Sequence, residues 1–357
     1  MYGVEVTVSE ATVESATPDE LPATTRRKIS EILTRDEIRI LNERSDLMGF
    51  IAVSFSWAVI VATMALLVWA STQPLSIAVP AFVVGFCALA GRHLGLAILH
   101  HEAAHKSLFK TVWLNEVIGD WLCARPGWND LKKYRRHHFE HHRKTSQPED
   151  TDLSLVEGFP TTRASLMRKF ARDLFGLTGL KYLVGRLLMD LELVKWTVAN
   201  DAVRLPRAGR SWWSYPAAFV KNSGGMVITN VALWLACAAS GHAWLYGVWV
   251  LSYVTPFPLF LRIRALAEHA CTETTTDMFL NTRTTHAGFI ERATVAPIRV
   301  NFHIEHHVMP SVPYFRLPTL HRMLRERDAV PEPPRYIDVL RLVSSSAPRD
   351  RSAPSAA

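Results

Sequence analysis

Histidine carries the chemistry-bearing pattern of this sequence. The chain has 357 residues and fifteen histidines, most of them in three tight clusters: ILHHEAAHKSLF, YRRHHFEHHRKT and NFHIEHHVMP. A neutral imidazole offers a lone pair near pH 7, so clustered histidines point to a transition-metal site. On a helix, His101 and His105 stand four residues apart and share a face. His138, His141 and His142 stand at i, i+3 and i+4, inside an arc of roughly 100°, and His303, His306 and His307 repeat that arrangement.

Eight imidazoles exceed what one four-coordinate zinc uses, so two metals sharing the set is the economical account. Spacing alone leaves Zn, Cu, Fe and Ni open. Glu140 and Glu305 lie inside the boxes, yet on an ideal helix they point about 160–200° from their histidines. They are read as buttresses that accept an imidazole N–H rather than as ligands, and Glu102 and Glu268 join them in that role. His100 in place of His101 and His137 in place of His138 are alternative ligands. His101 is preferred because i, i+4 keeps both rings on one face, and His138 because it gives the H-x-E-H-H pattern of the third cluster. His93, His242, His286 and His321 are read as structural.

Four apolar runs must position these clusters: 48–70, 77–99, 224–240 and 243–261. Each is close to the ~20 residues that cross a bilayer's hydrocarbon core. The third is short, and Pro256 and Pro258 interrupt the fourth. The connections STQPL and SGHA contain no Lys or Arg, so the positive-inside rule places both outside. Both termini, the 100–220 segment and all three clusters then lie in the cytosol, and only His242 lies outside. The expected fold is an all-α integral membrane protein, four transmembrane helices with a cytoplasmic helical cap that holds the metal site. Residues 1–46 read as a polar segment with a surface or interfacial helix, 47–343 as the membrane domain, and 344–357 as a disordered tail.

Bulk composition alone looks soluble, with 48% hydrophobic residues, because the average hides the concentration of apolar residues in those runs. A net charge of +7 is compatible with an anionic membrane surface or nucleic acid. No basic stretch interleaved with aromatics appears, so nucleic acid is not an expected partner. Cys87, Cys123, Cys237 and Cys271 are scattered, which excludes a disulfide framework or a thiolate zinc site. The N-terminus, MYGVEVTVSEATVES, lacks the charged-then-apolar pattern of a signal peptide.

HEAAH, HFEHH and HIEHH, in that order and with a membrane hairpin between them, resemble the three histidine boxes of the membrane fatty-acid desaturase superfamily. The resemblance covers roughly residues 48–343 and extends to Tyr134-Arg135 before the second box and EHHVMPSVPYFRLPTLHRML around the third. It implies a di-iron centre of two Fe2+ ions, O2 as co-substrate, and two electrons from outside the chain. It also implies a ninth ligand between the fourth span and the third box, for which His269 in RALAEHACTE is the candidate. Acyl-CoA desaturases place an Asn four residues before that histidine to hold a metal-bound water. Ala265 stands there instead, which weakens any transfer of acyl-CoA-specific detail.

The implied activity is O2-dependent desaturation of a lipid-linked acyl chain, the substrate being a membrane lipid or an acyl carrier. No HPGG-type cytochrome b5 segment is present in the termini, so the expected donor is a separate ferredoxin, rubredoxin or cytochrome b5 type protein. Arg135, Arg136, Arg143 and Lys144 would form its basic docking face. The nearest alternative is a hydroxylase or ketolase of the same superfamily acting on an alkane, sterol, sphingolipid or carotenoid. More remote is a membrane metalloprotease, since His101–His105 matches HExxH with Glu102 as its base. That reading leaves two boxes without a role. A metal transporter would hold its site near the bilayer midplane, whereas these clusters sit at the ends of the spans.

Overall fold

A run of apolar residues in lipid must satisfy its own backbone, and a helix does so within one segment. The computed structural model describes residues 27–196 and 202–346, and it contains four helices long and apolar enough to cross a membrane. The first spans Asp46–Ala70 and starts at Ser45, whose side-chain oxygen accepts from the Met48 N–H at 3.3 Å. A short turn leads into the second, Leu75–Ala104. The third spans Ser214–Ala239, and the fourth runs over Trp244–His269. The two hairpin turns lie at one end of the bundle. The ends that carry His101 and His269 therefore lie together at the other.

Both histidine-bearing spans outlast their apolar runs. At 1.5 Å per residue, the 30 residues of the second helix extend about 45 Å, beyond the ~30 Å of a hydrocarbon core. The apolar run ends at 99, but the helix continues through His100, His101 and Glu102, which are buried by protein. The fourth span likewise passes 261. Its prolines produce a break at Thr255 (φ −108°, ψ −84°), after which Pro256 opens a second piece, Pro256–His269. Proline at the start of a helix loses no hydrogen bond that the helix would have made.

The rest of the described chain is mostly helical and forms a cap over that end. Helix Leu131–Lys144 carries the second box and the short helix His303–Val308 the third. A two-stranded antiparallel ribbon, Val194–Trp196 with Ala202–Arg204, lies apart from them in sequence. Two close approaches depend on glycine. A Cβ on Gly119 would stand 2.3 Å from the Ala103 Cβ, and one on Gly91 would stand 2.0 Å from the Ala293 carbonyl oxygen. The first lets the chain after box one fold back on the second span, and the second seats the approach to box three against it.

The helix expected within 1–46 appears at Arg35–Leu41, closed by a capping box between Thr34 and Glu37. It is more than a surface element. Leu33 and Leu41 are buried with Met309, Val312, Leu317 and Leu320, which ties this segment to the chain after box three. Residues 1–26 lie outside the described residues, as does 347–357 of the expected tail. Its first residues are held: Ser345 bridges Thr162, and the Ser346 N–H donates to the Thr161 carbonyl at 3.1 Å.

Candidate metal centre

Box one sits on the last turn of the second span, whose terminal carbonyls need partners. Arg135 supplies them. Its Nε donates to the Ala104 carbonyl at 2.8 Å and its Nη2 to that of Ala103 at 3.2 Å. The same guanidinium pairs with Glu116 at 2.7 Å, which clamps the box-two helix onto the end of box one. Arg135 is therefore not part of a docking face. Asp130 starts that helix, accepting from the Lys133 N–H at 2.8 Å. Box three is aimed by a tight bend in which Ile298 (φ 53°) and Arg299 (φ 61°) both adopt left-handed backbone. That conformation is costly for residues with a side chain and is held here by the surrounding packing.

The nine histidines converge in two groups, each of which could hold a metal ion: His101, His105, His138, His142 and His306, then His141, His269, His303 and His307. Within a group, the available ring nitrogens all lie within 4.8 Å of one another. The sequence neighbours His141 and His142 fall in different groups, as do His306 and His307, so the two groups must adjoin. The rings of His142 and His307 stack with centroids 4.3 Å apart.

Hydrogen bonding does not account for these nitrogens. His142 Nε2 lies 3.0 Å from both His138 Nε2 and His306 Nε2. An imidazole nitrogen carries one proton or one lone pair, so it cannot bond to both. In the second group, His303 Nε2 lies 2.8 Å from His269 Nε2. Ligand nitrogens at right angles around a metal about 2.1 Å away are themselves about 3 Å apart. The Nε2 atoms of His101, His105 and His307 are buried with no hydrogen-bond partner. Each such orphan costs about 1–3 kcal/mol, a penalty that a bound cation would remove. The donor set fits imidazole-bound transition metals.

Protonation favours the same reading. Burial, reinforced by Arg135, pushes the His105 pKa down to about 3. Burial and then neighbouring histidines hold His138, His142, His303, His306 and His307 well below 6.5. At neutral pH these rings are uncharged and their lone pairs are free for a metal. At His141 burial also pulls downward, but Asp152 and Asp150 outweigh it and the pKa is raised.

The carboxylates divide differently from the sequence expectation. Glu140, read as a buttress, lies on the outer side of its helix and pairs with Arg143. Glu305 is fully buried, but it accepts from Thr284 Oγ1 at 2.5 Å and pairs with His321 Nδ1 at 2.7 Å rather than with a box histidine. Both face away from their own histidines, and for that reason neither reaches one. Glu268 does lie near the site: its Oε1 is 3.6 Å from His303 Nδ1 and 2.8 Å from Arg264 Nε. Glu102 accepts from Ser107 Oγ at 3.0 Å and from the Tyr314 N–H at 3.1 Å, with His101 Nδ1 at 3.5 Å. So engaged, it ties box one to the chain after box three and is poorly placed to act as a protease base.

Neither alternative ligand joins a group. His100 packs its ring edge-on to Tyr134 at 4.2 Å, and exposed His137 pairs with Asp152 at 2.9 Å. Buried His93 lies 3.1 Å from the Trp249 carbonyl and 3.2 Å from Ser252 Oγ, a structural tie between the second and fourth spans. The sequence reading missed Asp150, whose Oδ1 lies 2.7 Å from His141 Nδ1. The acidic run PEDTD just after box two was its visible signal.

A family model described as fatty acid desaturase matches residues 74–339, a stretch that includes all three boxes and His269. Among curated proteins, dihydrorhizobitoxine desaturase of Bradyrhizobium elkanii is 27% identical over 240 residues, covering 62% of this chain and 62% of that protein. The match thus spans less than two thirds of the relative's length. Histidine boxes, apolar spans and family match agree: this chain belongs to the fatty acid desaturase family.

Proposed function

We propose that this protein removes two hydrogens from a saturated segment of a lipid-linked acyl chain, leaving a cis double bond, with two iron ions, O2 and an external electron donor. The observation that carries this reading is the convergence of nine histidines, from three boxes and the fourth span, into two adjoining groups. When bound, the irons supply the oxidising chemistry: O2 becomes two waters by taking two hydrogen atoms from the substrate, two electrons from the donor and two protons. Side-chain acids and bases of ordinary pKa cannot break an unactivated C–H bond.

The chain's own residues hold and enclose that chemistry. His101, His105, His138, His142 and His306 would bind one iron, and His141, His269, His303 and His307 the other. An apolar cavity of about 520 Å³ lies between the first, third and fourth spans, lined by Trp57, Ile60, Met64, Leu233, Leu245 and Trp249. Its lining continues to Ser240 and His242 at the hairpin end of the bundle, and Trp249 marks its end nearer the histidine groups. Trp249 packs against His93 with the rings tilted by 43° and centroids 3.8 Å apart, and His93 lies eight residues or about 12 Å along the second helix from His101.

The absence of Lys and Arg from the hairpin turns supports a cytoplasmic site with both termini on that side. Lys132 and Arg136, exposed on the outer side of the box-two helix, suit an acidic redox protein. A relative named for desaturation supports double-bond formation over hydroxylation as the outcome. The test is product analysis by mass spectrometry, with a deuterated acyl substrate and a reconstituted ferredoxin or cytochrome b5 system. Loss of two deuteriums without oxygen gain supports the proposal, whereas oxygen from labelled O2 in the main product moves the assignment to a hydroxylase.

A further inference from the structure

Of the nine clustered histidines, His141 is the one with a carboxylate in hydrogen-bond range among the described residues. Asp150 Oδ1 lies 2.7 Å from its Nδ1, and both side chains are buried. Glu102 and Glu268 stand 3.5 and 3.6 Å from their nearest histidine nitrogens. We propose that Asp150 is a positioning residue for the four-histidine group, holding His141 with Nδ1 protonated and Nε2 free to face the metal. This rests on the ligand assignment of the preceding section.

The local chain is built around that carboxylate. The box-two helix ends at Lys144, and Thr145 turns extended (ψ 129°) while its Oγ1 donates back to the His141 carbonyl at 2.7 Å. Ser146 takes a left-handed conformation (φ 63°) and donates its N–H to Asp150 Oδ2 at 2.9 Å. The Asp152 N–H donates to Oδ1, also at 2.9 Å. Both oxygens are thus committed as acceptors. The His141 nitrogen that meets Oδ1 must therefore be the donor, which fixes the tautomer and leaves the lone pair on Nε2.

The surroundings show why this ring needs a fixed partner. A polar opening of about 160 Å³ reaches His141 and His269 and is lined by Asp150, Asp152, Ser146 and Thr272. Water that enters it would offer His141 Nδ1 a competing and mobile partner. An amide cannot replace the carboxylate here. Asparagine has one acceptor oxygen, so its NH2 must face either the Ser146 N–H or the side shared by His141 and the Asp152 N–H.

Partners of this kind typically change metal affinity 10–100-fold when removed. The experiment compares wild type, Asp150→Asn and Asp150→Glu, all loaded with ferrous iron. It reads iron per chain, the rate of iron loss to a ferrous chelator, and the Mössbauer spectrum. The Asn variant is expected to release one of its two irons about 10–100-fold more readily, with the spectrum of that iron alone altered. The Glu variant, which keeps two acceptor oxygens, should lie closer to wild type. In a His141→Gln background, Asp150→Asn should add nothing.

Equal retention of both irons in wild type and Asp150→Asn overturns the proposal, as does simultaneous loss of both irons or an additive effect in the His141→Gln background. If Asp150→Asn does not fold, Asp150→Glu decides: a spectral change confined to one iron supports the role, and an unchanged spectrum or a change in both irons contradicts it. Wild-type protein that binds fewer than two irons refutes the ligand assignment itself, separately from Asp150.

Discussion

His142 Nε2 and His306 Nε2 lie 3.0 Å apart, although 164 positions separate the two residues in the chain. One comes from the cap helix after the first hairpin and the other from the short helix after the second. Alanine at either is predicted to remove an iron from the five-histidine group and lower turnover by at least about 100-fold. His242→Ala, at the opposite end of the bundle, should leave turnover within about twofold. Steady-state rates set beside iron content check this, and normal turnover in His306→Ala would contradict it.

His321 sorts structure from ligation in another way. Its Nδ1 lies 2.7 Å from the fully buried Glu305 carboxylate, and it belongs to neither group. His321→Ala should leave that carboxylate with Thr284 alone as a side-chain partner, at a cost of about 1–3 kcal/mol in stability. Thermal unfolding should show the loss, while iron per folded chain stays unchanged. A loss of iron at unchanged stability would make His321 part of the metal site.

Much of this site was legible in the sequence because helix geometry is local. Spacings of three and four residues bring box histidines to one face without any knowledge of the fold. The spans were legible because apolar runs of bilayer length have few alternatives, but their ends were not. The second helix runs on to Ala104 because protein, not lipid, buries His100–Glu102. His269 came from resemblance, since an isolated histidine has no local signal. Helical geometry indicated correctly that Glu140 and Glu305 face away from their own histidines, but the partners found there, Arg143 and His321, depend on packing. Asp150 depends on a left-handed turn at Ser146 that spacing does not reveal, and Arg135 on how two helices cross.

Acid should destabilise the metal-free protein. His138, His142, His303, His306 and His307 are held well below 6.5 by burial and neighbouring histidines, and His105 lies at about 3 through burial and Arg135. Between those values and 6.5 the unfolded chain binds more protons than the folded one, so stability falls as pH drops. His141 works in the opposite sense. Its raised pKa stabilises the fold below 6.5, and that contribution is lost as pH rises through the folded value. Six depressed rings outweigh one raised ring. The unfolding midpoint of metal-free protein should hold between pH 7 and 8 and fall steadily from 6.5 to 5. A midpoint that rises on acidification would contradict this.

Redox-partner docking should be electrostatic. Lys132 and Arg136 are exposed on the box-two helix, whereas Arg135 is committed to the carbonyls of box one and Arg143 to Glu140. Surface charges of this kind are screened over about 8–10 Å at physiological ionic strength. The KM for an acidic donor should rise with salt, and Arg136→Glu should raise it on the order of tenfold at low salt. A KM for the donor that does not change with salt would move docking elsewhere.

The most direct test of the central claim is metal quantification in catalytically active protein, paired with anomalous scattering at the iron edge. Two irons per chain are predicted, one peak among His101, His105, His138, His142 and His306, and the other among His141, His269, His303 and His307. One iron per chain, zinc as the only metal in active protein, or a peak outside these two groups would contradict the account.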